Sequence, residues 1–170
     1  LGGLRGVIIT DFIQFEPQRG EASPVRTEVR VLYDSSHVYL AFQGWDPDPL
    51  TAQLTRRDAD LTNDDVFMVL LDTYRDRQSA YVFAVNPLGT QTDARAVNDG
   101  RTIETTWDAE WEARARIQEW GWSAEMAIPL ASMRFQAGDH RTWGFNVGRG
   151  RRRTLELSTW AGPLDAEFRV

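Results

Sequence analysis

The sequence predicts an all-β protein, a single-domain antiparallel β-sandwich of jelly-roll type, and three observations carry that expectation. The apolar run Val66 to Leu71, bracketed by Asp64-Asp65 and Asp72, reads as a strand buried on both faces, and Ala80 to Val85 answers it across a charged turn. Trp111, Ala113, Ala115 and Ile117 alternate with charged or amide residues, and after Glu119-Trp120-Gly121 the residues Trp122, Ala124, Met126 and Ile128 continue in the same parity. Turn signals recur throughout, and the sole helix-like segment is Leu50 to Leu61, carrying Arg56 and Arg57.

Taken in order, no strand is recognisable before Phe12. Thr27, Val29, Val31 and Tyr33 alternate with Glu28, Arg30 and Leu32, a half-buried strand, and Asp34 to His37 make its turn. Val38 to Phe42 is the hairpin partner, stopped by Trp45-Asp46-Pro47-Asp48-Pro49 because proline cannot donate to a ladder. Beyond the central hairpin, Asn86-Pro87-Leu88-Gly89 is a turn, Gln91 to Ala96 a shorter polar strand, and Asn98-Asp99-Gly100 another turn. Trp143, Phe145 and Val147 form an alternating strand, and Leu155 to Trp160 gives the last. Parity places Phe67, Val69, Phe83, Trp111, Trp122, Met126 and Trp143 inside.

With 170 residues, the chain can bury a core without staples. It has no cysteine, so disulfides and thiolate chemistry are excluded. Net charge is −6, which disfavours nucleic acid as a partner. No apolar run is long enough for a membrane-spanning helix. The start at Leu1 is expected of a processed or excised fragment. Arg149, Arg151, Arg152 and Arg153 form a basic cluster, read as a solvated strand and loop, with a grip on a polyanion or lipid headgroup as the functional alternative. His37 and His140 stand in turns as surface residues. Asp64 and Asp65 are adjacent on a strand and point opposite ways, so they cannot flank one glycosidic bond, and the chain is not expected to be an enzyme.

Aspartates at strand ends supply the hard oxygen ligands that Ca²⁺ requires. Asp72 and Asp76 flank one turn and can converge, with Asp46 and Asp48 as neighbours. The competing role of these residues is turn chemistry, for which Asp is suited.

Several ordered segments carry a resemblance: Thr27 to Asp34, Asp46 to Pro49, Arg56-Arg57-Asp58, Asp64-Asp65, Leu71 to Tyr74, Ser79-Ala80-Tyr81, Asn86 to Gly89, Trp107-Asp108, Gly121 to Pro129 and Trp143 to Asn146. Over roughly Val25 to Trp160 the chain resembles the family 9 carbohydrate-binding modules, and more closely the version that precedes an outer-membrane β-barrel in a large bacterial family. The resemblance implies a non-catalytic module for an oligosaccharide or polysaccharide, in an extracellular or periplasmic setting. It also implies a linked barrel or enzyme domain, and it allows a structural calcium. The alternative is a protein-interaction domain attached to the barrel. Family members clamp a terminal sugar between two tryptophans. Here the first position falls near Thr62 and the family's in-strand carboxylate near Met68, while Trp160 matches the second tryptophan. The implied site is one-sided: Trp160 and Trp107 as platforms, with Arg57, Asp65, Asn86, Gln91 and Asp93 hydrogen-bonding hydroxyls.

Overall fold

The computed structural model describes residues 6–138 and 142–161. His140 lies outside them. Among the described residues strand content is 49%, in two antiparallel sheets. The strands are β1 (Val7–Ile9), β2 (Ile13–Glu16), β3 (Thr27–Tyr33), β4 (His37–Trp45), β5 (Val66–Asp72), β6 (Ala80–Val85), β7 (Gln91–Val97), β8 (Thr102–Glu104), β9 (Glu112–Gln118), β10 (Gly121–Pro129), β11 (Gly144–Arg151) and β12 (Glu156–Thr159). One sheet runs β1-β3-β4-β10-β9, the other β2-β12-β11-β5-β6-β7-β8. The predicted sandwich is therefore the fold. No helix among the described residues is long and apolar enough to cross a membrane.

Side-chain alternation decides what lies between the sheets. Val29, Leu40, Phe42, Trp122, Met126 and Ile128 from the five-stranded sheet meet Phe67, Val69, Phe83, Val85 and Val147 from the seven-stranded one. Phe42 stacks on Phe67 with centroids 4.5 Å apart, and Trp122 lies tilted against Phe42 at 4.6 Å. The six residues Phe67, Val69, Phe83, Trp111, Trp122 and Met126 are all buried as parity requires, whereas Trp143 is half-buried at the core margin. Ile117 departs from its parity and is 53% exposed, because β9 is an edge strand with no second neighbour to cover it. Gly121, at φ 143°, lets β10 pass β4: a Cβ there would clash with the Gly44 carbonyl oxygen.

Three expectations are corrected. Leu50 to Leu61 is not a helix. It is an extended loop whose Leu54, Ala59 and Leu61 lie over Val66, Met68 and Ala84 on the outer face of the seven-stranded sheet. Tertiary anchoring overrides local propensity here: the Asp64 carboxylate accepts the Gln53 and Leu54 N–H groups at 3.0–3.1 Å, leaving those donors unavailable to a helix. A strand does precede Phe12, since β1 pairs Val7 to Ile9 with Val31 to Val29. Its first two residues are exposed, so it carries little hydrophobic alternation to read.

The third correction concerns the basic cluster, which is not a solvated patch throughout. Arg149 and Arg151 point between the sheets and are buried, while Arg152 and Arg153 are exposed. Arg149 binds Asp46 at 3.0 Å and the Arg26 and Trp45 carbonyls, and Arg151 binds Asp46, Asp48 and Glu156 at 2.7–3.1 Å. Burial pulls the Arg149 guanidinium down to about 10, against the attraction of Asp46. Arg151 is raised instead, chiefly by its hydrogen bond to Asp46.

Candidate functional site

The sequence-derived binding residues fall into three separate places. The Arg57 loop, the Asn86 turn and β7 come together beside the Trp107 to Trp111 segment. Trp160 does not join them. Its N–H donates to the Val147 carbonyl at 3.0 Å, and Val147, Val69, Phe83 and Asp93 are successive cross-strand partners. Four strand spacings, about 19 Å, therefore separate Trp160 from Asp93. Trp160 is 42% exposed and stands edge-on to Phe145, with centroids 6.2 Å apart. The single cluster containing both is corrected: the chain's last strand returns beside β11, not beside β7.

Within the first place, most of the polar residues hold the protein together. Asn86 is fully buried; its amide donates to the Leu54 carbonyl and to Asp64, and its oxygen accepts from Leu88 and Thr90. Asp65 lies apart from this cluster, beside the Arg149–Arg151 centre, where it is buried and accepts N–H bonds from Thr51 and Arg152 at 3.1 and 2.7 Å. Desolvation nevertheless leaves its carboxyl above the ordinary range. Gln91 donates to the Trp111 carbonyl at 2.9 Å. Asp93 receives the Trp111 indole N–H at 2.9 Å and the Ala109 N–H at 3.2 Å, fastening the 109–111 segment onto β7. Burial raises the Asp93 carboxyl despite these bonds. Trp107 is half-buried against Tyr81 and Phe83, so its ring serves the core margin.

Arg57 is different. Its guanidinium meets Asp93 at 3.0 Å and the Ala109 carbonyl at 2.7 Å, with Asp108 at 3.5 Å and Asp58 at 3.6 Å, yet its side chain is 41% exposed. It opens onto a cleft of about 610 Å³ lined by His37, Tyr39, Asp108, Ala109, Glu110, Trp111, Glu112, Ala127 and Pro129. The cleft also carries an aromatic pair: the His37 and Tyr39 rings stack on one another at 5.5 Å with 21° between planes. The Tyr39 hydroxyl donates to Asp34 at 3.0 Å. The Asp34 carboxyl is itself held down to about 2, first by the Ser36 N–H and then by the Ser36 hydroxyl and the His37 N–H. A planar cation, flanking carboxylates and an amphipathic aromatic pair are groups that can recognise a polyhydroxylated ring, by paired hydrogen bonds and by C–H contact with an aromatic face. Sequence reasoning missed His37, Tyr39, Glu110 and Glu112. Alternation along β4 and β9 puts Tyr39 and Glu112 on the outer face, but their meeting with Arg57 depends on strand order, which alternation does not encode.

The four carboxylates expected for calcium do not form one set. Asp72 and Asp76 share a turn, at the Gly144 end of β5, while Asp46 and Asp48 are bound to Arg151, which lies just past the Gly150 end. Roughly 20 Å of strand lies between. Asp72 accepts the N–H groups of Tyr74, Asp76 and Arg77, and Asp76 those of Gln78 and Ser79. Among the described residues no third acidic side chain joins these two, so the pair fits turn chemistry better than the six or more oxygens that calcium takes. Oxygens of Asp58, Asp93 and Asp108 do lie within 4.8 Å of one another, and Arg57 already supplies the positive charge among them. At the family's clamp positions, Thr62 is an exposed residue of a short 3-10 turn capped by Asp60, and Met68 lies over Gly148 on the outer face of the seven-stranded sheet.

Comparisons with known proteins bear on the fold. No family model matches the chain, and no curated protein does. Among solved structures, a Bacteroides uniformis protein named for a proposed carbohydrate-binding role matches with TM-score 0.73 at 13% identity, over 98% of this chain and 80% of that one. A family 9 carbohydrate-binding module from Caldicellulosiruptor kristjanssonii in complex with cellotriose matches with TM-score 0.59 at 14% identity, over 92% and 71% of the two chains. Its complex with glucose gives 0.62, 14%, 92% and 74%. The chain shares its sandwich fold with these structures.

Proposed function

We propose that this chain is a non-catalytic carbohydrate-binding module, and that the Arg57 cleft is where it meets sugar. The observation that carries the reading is Arg57 itself: an arginine fixed by Asp93 and the Ala109 carbonyl, half in solvent, in an open cleft that His37 and Tyr39 also line. A cation oriented in advance loses little freedom on accepting a ligand, which is what a weak hydroxyl ligand requires. The fold shared with modules solved in complex with glucose and cellotriose supports the ligand class. Non-catalytic action accords with Asp93, whose oxygens are taken by Trp111, Ala109 and Arg57. Export to the cell envelope, with a linked barrel or enzyme domain, belongs to the same reading. The alternative of a protein-docking domain draws on the exposed Val7 and Ile8 of edge strand β1.

A glycan array followed by calorimetry tests the proposal. Saturable binding of at least one glycan, weakened about tenfold or more by Arg57→Ala, roughly 1.4 kcal/mol, is expected. No binding to any glycan would sink the module reading in favour of docking.

A further inference from the structure

The outer face of the five-stranded sheet continues the Arg57 cleft. Cross-strand registers align its outward side chains in three rows: Glu28–Gln43–Ser123–Arg116, Arg30–Ala41–Glu125–Arg114 and Leu32–Tyr39–Ala127–Glu112. A cavity of about 510 Å³ covers the first two rows, and one of about 420 Å³ covers the second and third. Tyr39, Glu112 and Ala127 of the third row line the Arg57 cleft as well. The three hollows therefore share residues and form one trough. On its floor each row sets a small residue beside a larger one: Ser123 by Gln43, Ala41 by Glu125, Ala127 by Tyr39. From Ser123 to Pro129 the floor runs about 20 Å along β10.

The chemistry of this face is not that of the Asp93 and Asn86 region. Among the described residues, the side chains of Gln43, Ser123, Glu125, Arg114 and Arg116 have no hydrogen-bond or ion-pair partner, although Arg114 stands directly opposite Glu125. Outward amides, hydroxyls and charges in ordered rows are available to a ligand. Their signs cancel: Arg30, Arg114 and Arg116 face Glu28, Glu112 and Glu125. A polyanion would meet three carboxylates, and a polycation three guanidiniums. A polyhydroxylated, uncharged chain can accept from the one set and donate to the other.

We infer that the trough takes an extended, uncharged polysaccharide along β4 and β10, with the Arg57 cleft as one end of the binding surface. The inference rests on the module reading and adds that internal chain segments are held, not the terminus alone.

Affinity gel electrophoresis decides it, with soluble β-glucan, xylan, galactomannan and dextran in the gel, and polygalacturonate as the anionic comparison. At least one neutral polysaccharide should retard the protein and polygalacturonate should not. Gln43→Ala combined with Arg116→Ala, at the far end from Arg57, should weaken retardation about tenfold while the melting temperature stays unchanged. Oligosaccharides cut from the same polymer should bind more tightly as they lengthen, and the double variant should lose that length dependence. Retardation that survives the double variant but is lost in Arg57→Ala would overturn the trough and leave the cleft standing. Retardation by polygalacturonate alone would overturn the uncharged ligand. No retardation by any polymer, with no binding on the array, would overturn both readings.

Discussion

Two arginine centres in this protein look alike on paper and differ in what surrounds them. Arg149 and Arg151 have side chains 2% and 6% exposed, closed in by Asp46, Glu156 and backbone carbonyls. Gly44 makes room for this: a Cβ there would come within 2.9 Å of the Arg149 guanidinium carbon. Arg57 also sits among carboxylates, but its side chain is 41% exposed and opens onto a cleft. Charge pairing alone says nothing about role. Where water is excluded the pair is an internal joint between the sheets, and where solvent reaches it the same chemistry is available to a ligand.

The closed centre should break first. Asp46→Ala leaves two buried guanidiniums short of their shared partner, and a loss of about 3–5 kcal/mol is expected in urea unfolding. Trp122→Ala should cost a similar ~3–5 kcal/mol by opening a cavity between the sheets. A small loss for Asp46→Ala would mean that water reaches Arg149, and the contrast between the centres would fail.

Acid titration sharpens the comparison, because the two central aspartates shift in opposite directions. Burial works to raise the Asp46 carboxyl, but the hydrogen bond from Arg151, the Asp48 N–H and the charges of Arg151 and Arg149 outweigh it, and the net shift is downward. Its contribution is present above the unfolded carboxylate value of about 3.9 and is lost as pH falls through the lower folded value. Asp93 is raised by burial, so its ionisation costs stability above its folded value, and that cost is relieved as pH falls. Melting curves taken from neutral to acid pH should therefore decline less steeply for Asp46→Asn than for the parent, and more steeply for Asp93→Asn.

At the open centre the stability effects shrink. Arg57→Ala should cost less than Asp46→Ala, about 1–2 kcal/mol, since the buried Asp93 keeps the Trp111 and Ala109 N–H donors when the guanidinium is removed. The smallest effect is expected from a chelator. With Asp72 and Asp76 engaged by backbone N–H groups, EDTA should leave the melting temperature where it was. A clear drop would restore calcium at another set of ligands.

Alternation and turn chemistry made the sandwich legible. Val66 to Leu71 reads as doubly buried because the loop of Leu54, Ala59 and Leu61 covers its second face, and the hairpin through Trp120 keeps one parity across its turn. That covering loop was not itself legible. Its periodicity suits a helix, while its conformation is imposed by Asp64, remote from Gln53 in sequence but adjacent in space. The buried charges were hidden for a related reason: Arg149 and Arg151 follow inward parity, yet burying them depends on Asp46 and Glu156 arriving from other strands. Of the site, the sequence places Arg57, Asp93 and Gln91 together, as they are, but it brings Trp160 to them from four strands away, because strand order is invisible to local pattern. Tyr39 and Glu112 are partners across two sheet neighbours and could be joined only once that order was known.

The most direct measurement is an amide ¹H–¹⁵N NMR titration with the glycan that the array selects, followed residue by residue. The account places the largest shifts at His37, Tyr39, Arg57 and the Asp108 to Glu112 segment, spreading along Gln43, Ser123 and Arg116 with longer oligosaccharides, and none around Arg149 and Arg151. Shifts gathered instead around Thr62, Met68 and Gly148 would contradict it and return the ligand to the outer face of the seven-stranded sheet.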